Sequence, residues 1–133
     1  MPLIVKSLWN RWFGDRGERA AARALKRKRM RILTRNYRVT EGEIDLIALD
    51  RGVIVFVEVK TRVAGVPAEA VTLEKQRRIT RAALRFLKAH RLLETARCRF
   101  DIVAVVWPPD AARPTIEHFA DAFEAVGPWQ MFL

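Results

Sequence analysis

The chain has 133 residues, half of them apolar and 30% charged, a composition that suits one soluble globular domain and excludes a disordered chain. Its 25 Lys and Arg, 19 of them Arg, outnumber 15 Asp and Glu to leave a net charge of +10. A surplus this large points to a nucleic-acid partner before a membrane surface, with solubility alone as the plainer alternative.

One cysteine, Cys98, excludes a disulfide framework and a Cys-rich zinc site, and a lone thiol suits a reducing cytoplasm. The two histidines, His90 and His118, make a histidine zinc site improbable and read as packing or surface residues. No apolar run approaches the ~20 residues needed to cross a bilayer, so no membrane role is expected.

Residues 1–15 read as a short amphipathic arm that lacks the features of a signal peptide. Residues 16–125 form the main domain, and 126–133 an apolar tail. From Gly17 to Arg31, strong helix formers without Gly or Pro inside predict a helix. Its apolar stripe is Ala21, Ala22 and Leu25, with Glu18 on the same stripe. The β-rich runs 43–49 (EIDLIAL) and 53–60 (VIVFVEVK) flank Asp50-Arg51-Gly52 and predict a hairpin. Gly65 and Pro67 mark a loop. Thr72 is placed to cap a helix from Leu73 to Leu93 that buries Ile79, Ala82, Ala83, Phe86 and Leu87. Residues 99–107 form a strand stopped by Pro108-Pro109, and Thr115–Phe119 a last short strand. The order helix, hairpin, helix, strand, strand gives an α/β fold, a mixed sheet with flanking helices.

The hairpin carries the chemistry. With Arg51 and Gly52 as its loop, Asp45 lies opposite Glu58 and Glu43 opposite Lys60, and strict alternation sets all four on one face, with Ile44 and Leu46 on the other. Like charges ~4.5–5.5 Å apart at Cβ destabilise a sheet. A positive group should therefore sit between Asp45 and Glu58: a cross-strand Lys, an Arg from elsewhere, or a divalent cation such as Mg²⁺. Glu43 can hold Lys60 in place or point off the sheet edge. Asp101, between Phe100 and Ile102, suits a structural partner for an Arg.

Asp45, twelve intervening residues, then Glu58-Val59-Lys60 resembles the D…E-x-K core of the restriction-endonuclease-like, or PD-(D/E)XK, nuclease superfamily. Gly17-Glu18, Asn36, the run Gly42 to Ile47, the run Phe56 to Arg62, Lys75 and Arg99-Phe100-Asp101 resemble the YraN family of uncharacterised bacterial proteins over residues 17 to about 123. Arg29 and Met30 depart from that family's usual Gly and aromatic residue. The resemblance implies a restriction-endonuclease-like fold in which Asp45, Glu58, the Val59 carbonyl and Glu18 hold Mg²⁺ or Mn²⁺. It implies a catalytic set of Glu18, Asp45, Glu58, Lys60 and Gln76, with Lys60 orienting the attacking water.

Arg19, Arg23, Arg62, Lys75, Arg78 and Arg81 are the candidate nucleic-acid contacts. Residues 16–38 hold ten basic residues against one acidic, whereas 41–58 hold five acidic against one basic. An acidic pocket between basic helices suits a metal-dependent endo- or exonuclease acting on DNA, preferred over RNA, in a branched, damaged or single-stranded form. The competing reading is a non-catalytic nucleic-acid-binding module of the same fold, monomer or homodimer. An adaptor using the apolar tail is a third.

Overall fold

In the computed structural model, which describes residues 3–64 and 71–127, the first helix, α1, runs Leu3–Arg27. It starts well before the expected Gly17 and stops short of Arg31. The stop is a Schellman turn. Arg29 takes a φ of +67°, and the amides of Arg29 and Met30 return to the carbonyls of Lys26 and Leu25 at 2.9 and 3.1 Å. Met30 then packs back on Leu25 in a buried cluster. Ala21, Ala22 and Leu25 are fully buried, as the helical spacing requires.

Ending α1 here releases β1 (Arg31–Val39), a strand missing from the sequence-based order. Two strands follow as the expected hairpin, β2 (Gly42–Asp50) and β3 (Val53–Arg62). At its tip Arg51 and Gly52 have φ of +51° and +85°, the left-handed pair of a type I′ turn. Next come α2 (Leu73–Ala89), β4 (Arg97–Val106) and β5 (Thr115–Phe123). Thr72 caps α2 as expected, its hydroxyl accepting the Lys75 amide at 3.2 Å. The helix ends before the expected Leu93 by the same device as α1. Arg91 has a φ of +57°, and Leu92 donates to the Leu87 carbonyl at 2.8 Å. The expected Gly65–Pro67 loop, the tail from Pro128 and the side chains of residues 3–13 lie outside the described residues.

The sheet order is β1-β2-β3-β4-β5, with β3 and β4 parallel and every other pair antiparallel. This is a mixed α/β fold with one helix on each face. Against α2 lie Ile54, Phe56 and Phe100; against α1 lie Val55, Val57 and Val103. Burial on both faces explains why β3 reads as a continuous apolar run rather than an alternating one. No described helix is long and apolar enough to cross a membrane.

Asp101 is structural, as its setting in the sequence suggests. Its carboxylate is fully buried at a bulge where the β4–β5 register slips between Phe100 and Ile102. It accepts from Arg99 at 3.0 Å, from the His118 ring at 2.7 Å and from the Asp121 amide at 2.9 Å. Burial alone would raise this carboxyl, but the bonds from His118, Arg99 and Asp121 hold it below its ordinary range. His118 is thus a buried connector rather than a surface residue: its other ring nitrogen accepts from Lys28 at 3.0 Å, joining the end of α1 to β5.

Candidate metal and nucleic-acid site

The hairpin register is the one expected, running from Asp50 opposite Val53 to Leu46 opposite Val57. It ends there, one step before Asp45 and Glu58. The Val59 amide donates instead to the Asp45 carboxylate at 2.8 Å. Strict alternation also fails at this point, since Ile44 packs on the α2 side and Leu46 on the α1 side. The neighbouring strand explains it. Between Arg35, paired with Leu46, and Tyr37, paired with Ile44, Asn36 takes a left-handed φ of +50°. Both strands change face together, and Asp45 sits in the kink.

Three carboxyl groups meet there. Burial, then the adjacent Glu58 charge, pushes the Asp45 carboxyl up to about 8, with Glu18 adding to the shift against the pull of the Val59 amide. Near neutral pH Asp45 therefore keeps its proton. From α1, Glu18 also bonds to Asp45; burial and then the charges of Asp15 and Glu43 raise its carboxyl. Asn36, its amide turned so that the nitrogen faces Glu18, donates to both Glu18 oxygens at 3.0 and 3.3 Å. Glu58 is 3% exposed, and its Oε1 accepts from the Lys75 ammonium at 2.6 Å. Burial works against the Lys75 charge, but the bond to Glu58 and the charges of Glu58, Asp45 and Glu43 raise it overall.

A cavity of about 450 Å³ opens beside this cluster, lined by Asp45, Glu58, Glu43, Lys75, Arg38 and Arg78 among others. Gly42 belongs to its wall because α2 passes close: a Cβ there would lie 2.5 Å from the Arg78 carbonyl oxygen. Lys60 is half-buried and does not line the cavity. Nor does Glu43 steady it, since Glu43 reaches Arg38 at 3.6 Å. Gln76 turns away to donate to the Val71 carbonyl at 2.8 Å, bracing the segment that enters α2. Arg62 is half-buried and donates to the Thr61 carbonyl at 3.1 Å. Arg78 stands at the rim, paired with Glu74 at 2.8 Å, while Arg19, Arg23 and Arg81 are exposed.

Sequence reasoning missed the parts played by Asn36 and Arg38, and named Lys75 as a nucleic-acid contact without pairing it to Glu58. Only the acidic Glu41-Gly42-Glu43 run hinted at an approach by a basic element.

Among the described residues no three or more His, Cys, Asp or Glu side chains are gathered closely enough to hold a metal ion by themselves. The donors present are the neighbouring Asp45 and Glu58 carboxyl groups, with Glu18 beside Asp45. That set suits a hard, hydrated cation, which takes one or two carboxylates and keeps water for the rest of its shell. It does not suit zinc, which favours Cys and His.

The molecule is thus a mixed α/β protein with an acidic cluster under a basic rim. The profile of the uncharacterised protein family UPF0102 matches residues 17–105, a span that includes Glu18, Asp45, Glu58 and Lys75. The chain belongs to this family. It is 52% identical to a UPF0102 protein of Rhodopirellula baltica over 124 residues, covering 89% of this chain and 74% of that one. It is 47% identical to UPF0102 proteins of Trichlorobacter lovleyi and Geobacter sulfurreducens over 128 residues, covering 93% of this chain and 98% of each of theirs.

Proposed function

We propose that the chain is a divalent-metal-dependent nuclease of the PD-(D/E)XK kind, hydrolysing phosphodiester bonds in branched, damaged or single-stranded DNA. The observation that carries this is the pairing of half-buried Asp45 with buried Glu58, which Lys75 reaches at 2.6 Å, beside a cavity rimmed by Arg38 and Arg78. Asp45, Glu58, the Val59 carbonyl and Glu18 are the groups to hold Mg²⁺ or Mn²⁺, which when bound supplies Lewis-acid charge to the phosphate and acidity to a water. Asn36 fixes Glu18, and the Val59 amide fixes Asp45, so both carboxylates are oriented before any ligand arrives. Arg38 and Arg78 draw the phosphate backbone to the rim. Lys75, already in the cavity, orients water and balances charge on the phosphate, the part that sequence assigned to Lys60.

The Lys75–Glu58 pair also favours a second reading. Lys75 neutralises one carboxylate without any metal, as a silent DNA-binding module would allow. Incubating linear, flapped, forked and four-way DNA with Mg²⁺ or Mn²⁺ separates the two. The nuclease reading expects cation-dependent cleavage by wild type, loss of cleavage in Glu58→Ala, and a rate about 10²–10³ lower in Lys75→Ala. Wild type that binds these substrates and cuts none of them supports the binding module.

A further inference from the structure

A second basic site lies on the opposite face of the sheet from α2. Arg23 and Arg27, one turn apart on α1, and Arg113, between β4 and β5, line a groove of about 290 Å³ with Trp107, Pro114 and Ile116. Among the described residues no acidic side chain lines it. Among the described residues Arg23, Arg27 and Arg113 have neither an ion-pair nor a hydrogen-bond partner. Like charges four residues apart on a helix are mutually destabilising, and a third guanidinium across the groove adds to that cost.

The connection that carries Arg113 is braced. The Trp107 amide donates to the Arg62 carbonyl at 2.7 Å, its indole N–H to the Ala111 carbonyl at 3.0 Å, and the Ala111 amide to the Pro108 carbonyl at 3.1 Å. The Arg16 guanidinium already covers the Trp107 ring, 3.9 Å from its centroid, so the ring offers no free stacking platform for a base. What remains is three exposed, unpaired guanidinium-bearing residues lining a void, a chemistry that suits phosphate oxygens.

The groove shares α1 with the acidic cluster. Glu18 and Arg27 are separated by nine residues of one helix, about 14 Å at 1.5 Å per residue, or roughly four base-pair steps of duplex DNA. We infer that the groove holds the phosphodiester backbone of the DNA whose scissile bond lies at Asp45 and Glu58, a role that presupposes the DNA reading above. Arg23, Arg27 and Arg113 are binding groups there and take no part in bond cleavage.

The test is fluorescence anisotropy of a labelled DNA duplex over a range of salt, in chelator, with the full chain. The Arg27→Gln/Arg113→Gln double variant is compared with Arg51→Gln/Arg97→Gln, which removes equal charge from exposed positions at the hairpin end of the sheet. Each lost phosphate contact lowers the slope of log K against log salt by about 0.9. The groove variant should therefore lose about 2 from the slope and bind several-fold more weakly, with the control slope close to wild type. An unchanged slope in the groove variant, or equal losses in both, overturns the inference. Parallel cleavage assays keep the two ideas apart. Wild type that cleaves while the groove variant keeps its slope refutes the groove alone. Wild type that binds with the expected slopes but never cleaves refutes the nuclease and leaves the groove standing.

Discussion

At neutral pH the Asp45 carboxyl, pushed up to about 8 by burial and by Glu58 and Glu18, keeps a proton that it releases when the chain unfolds. Its ordinary value is 3.8, so between about pH 4 and pH 8 the folded state binds more protons than the unfolded one. Stability then falls as pH rises across that window. Side-chain relaxation and water entry hold the penalty to about 1–2 kcal/mol. In chelator, wild type should melt lower near pH 8 than near pH 5.5. Asp45→Asn should remove most of that dependence and raise the melting temperature at pH 8 by roughly 3–8 °C. If the variant instead melts lower and keeps the wild-type pH profile, Asp45 is an ordinary stabilising partner. The clash of Asp45 with Glu58 was legible because a two-residue turn fixes which residues face each other. The kink at Asn36 was not, because a left-handed Asn interrupts a strand without Gly or Pro to announce it.

Both helices overran their true ends in the sequence for one reason. At the left-handed positions that close α1 and α2 the chain has Arg29 and Arg91, with φ of +67° and +57°. Glycine, the usual stop signal, is absent from both sites, and Arg is a strong helix former. The departure from the resembled family at Arg29, where Gly is usual, falls on such a position. Forcing a residue with a Cβ into this region costs ~1–2 kcal/mol, partly offset by the greater freedom glycine has when unfolded. Arg29→Gly should therefore raise stability in urea by about 0.5–1 kcal/mol without changing the slope of the transition. A loss of stability would mean that the Arg29 side chain contributes more than its backbone costs. Misplacing the end of α1 also hid β1, whose first residue belonged to the expected helix. By contrast, α2's buried face and Thr72 cap followed directly from spacing and residue type.

Across the whole molecule the net charge of +10 is unevenly spread. Carboxylates converge on one cavity, while guanidiniums stand at its rim and in the groove between α1 and the β4–β5 connection. This separation concentrates anions where a cation would sit and leaves the surroundings attractive to phosphate. The sequence showed the imbalance between residues 16–38 and 41–58, but the placement of Lys75 against Glu58 depends on how α2 crosses the sheet, which no local pattern encodes. Titration calorimetry with Mn²⁺ at pH 7, in buffers of different ionisation enthalpy, needs no substrate and addresses the acidic cluster directly. Displacing the proton that Asp45 keeps at this pH should release close to one proton for each ion bound. We expect wild type to bind Mn²⁺ with that release, and both Asp45→Asn and Glu58→Ala to lose most of the binding. Wild type that binds no Mn²⁺, or binding and proton release that survive unchanged in both variants, would contradict a metal site at this pair.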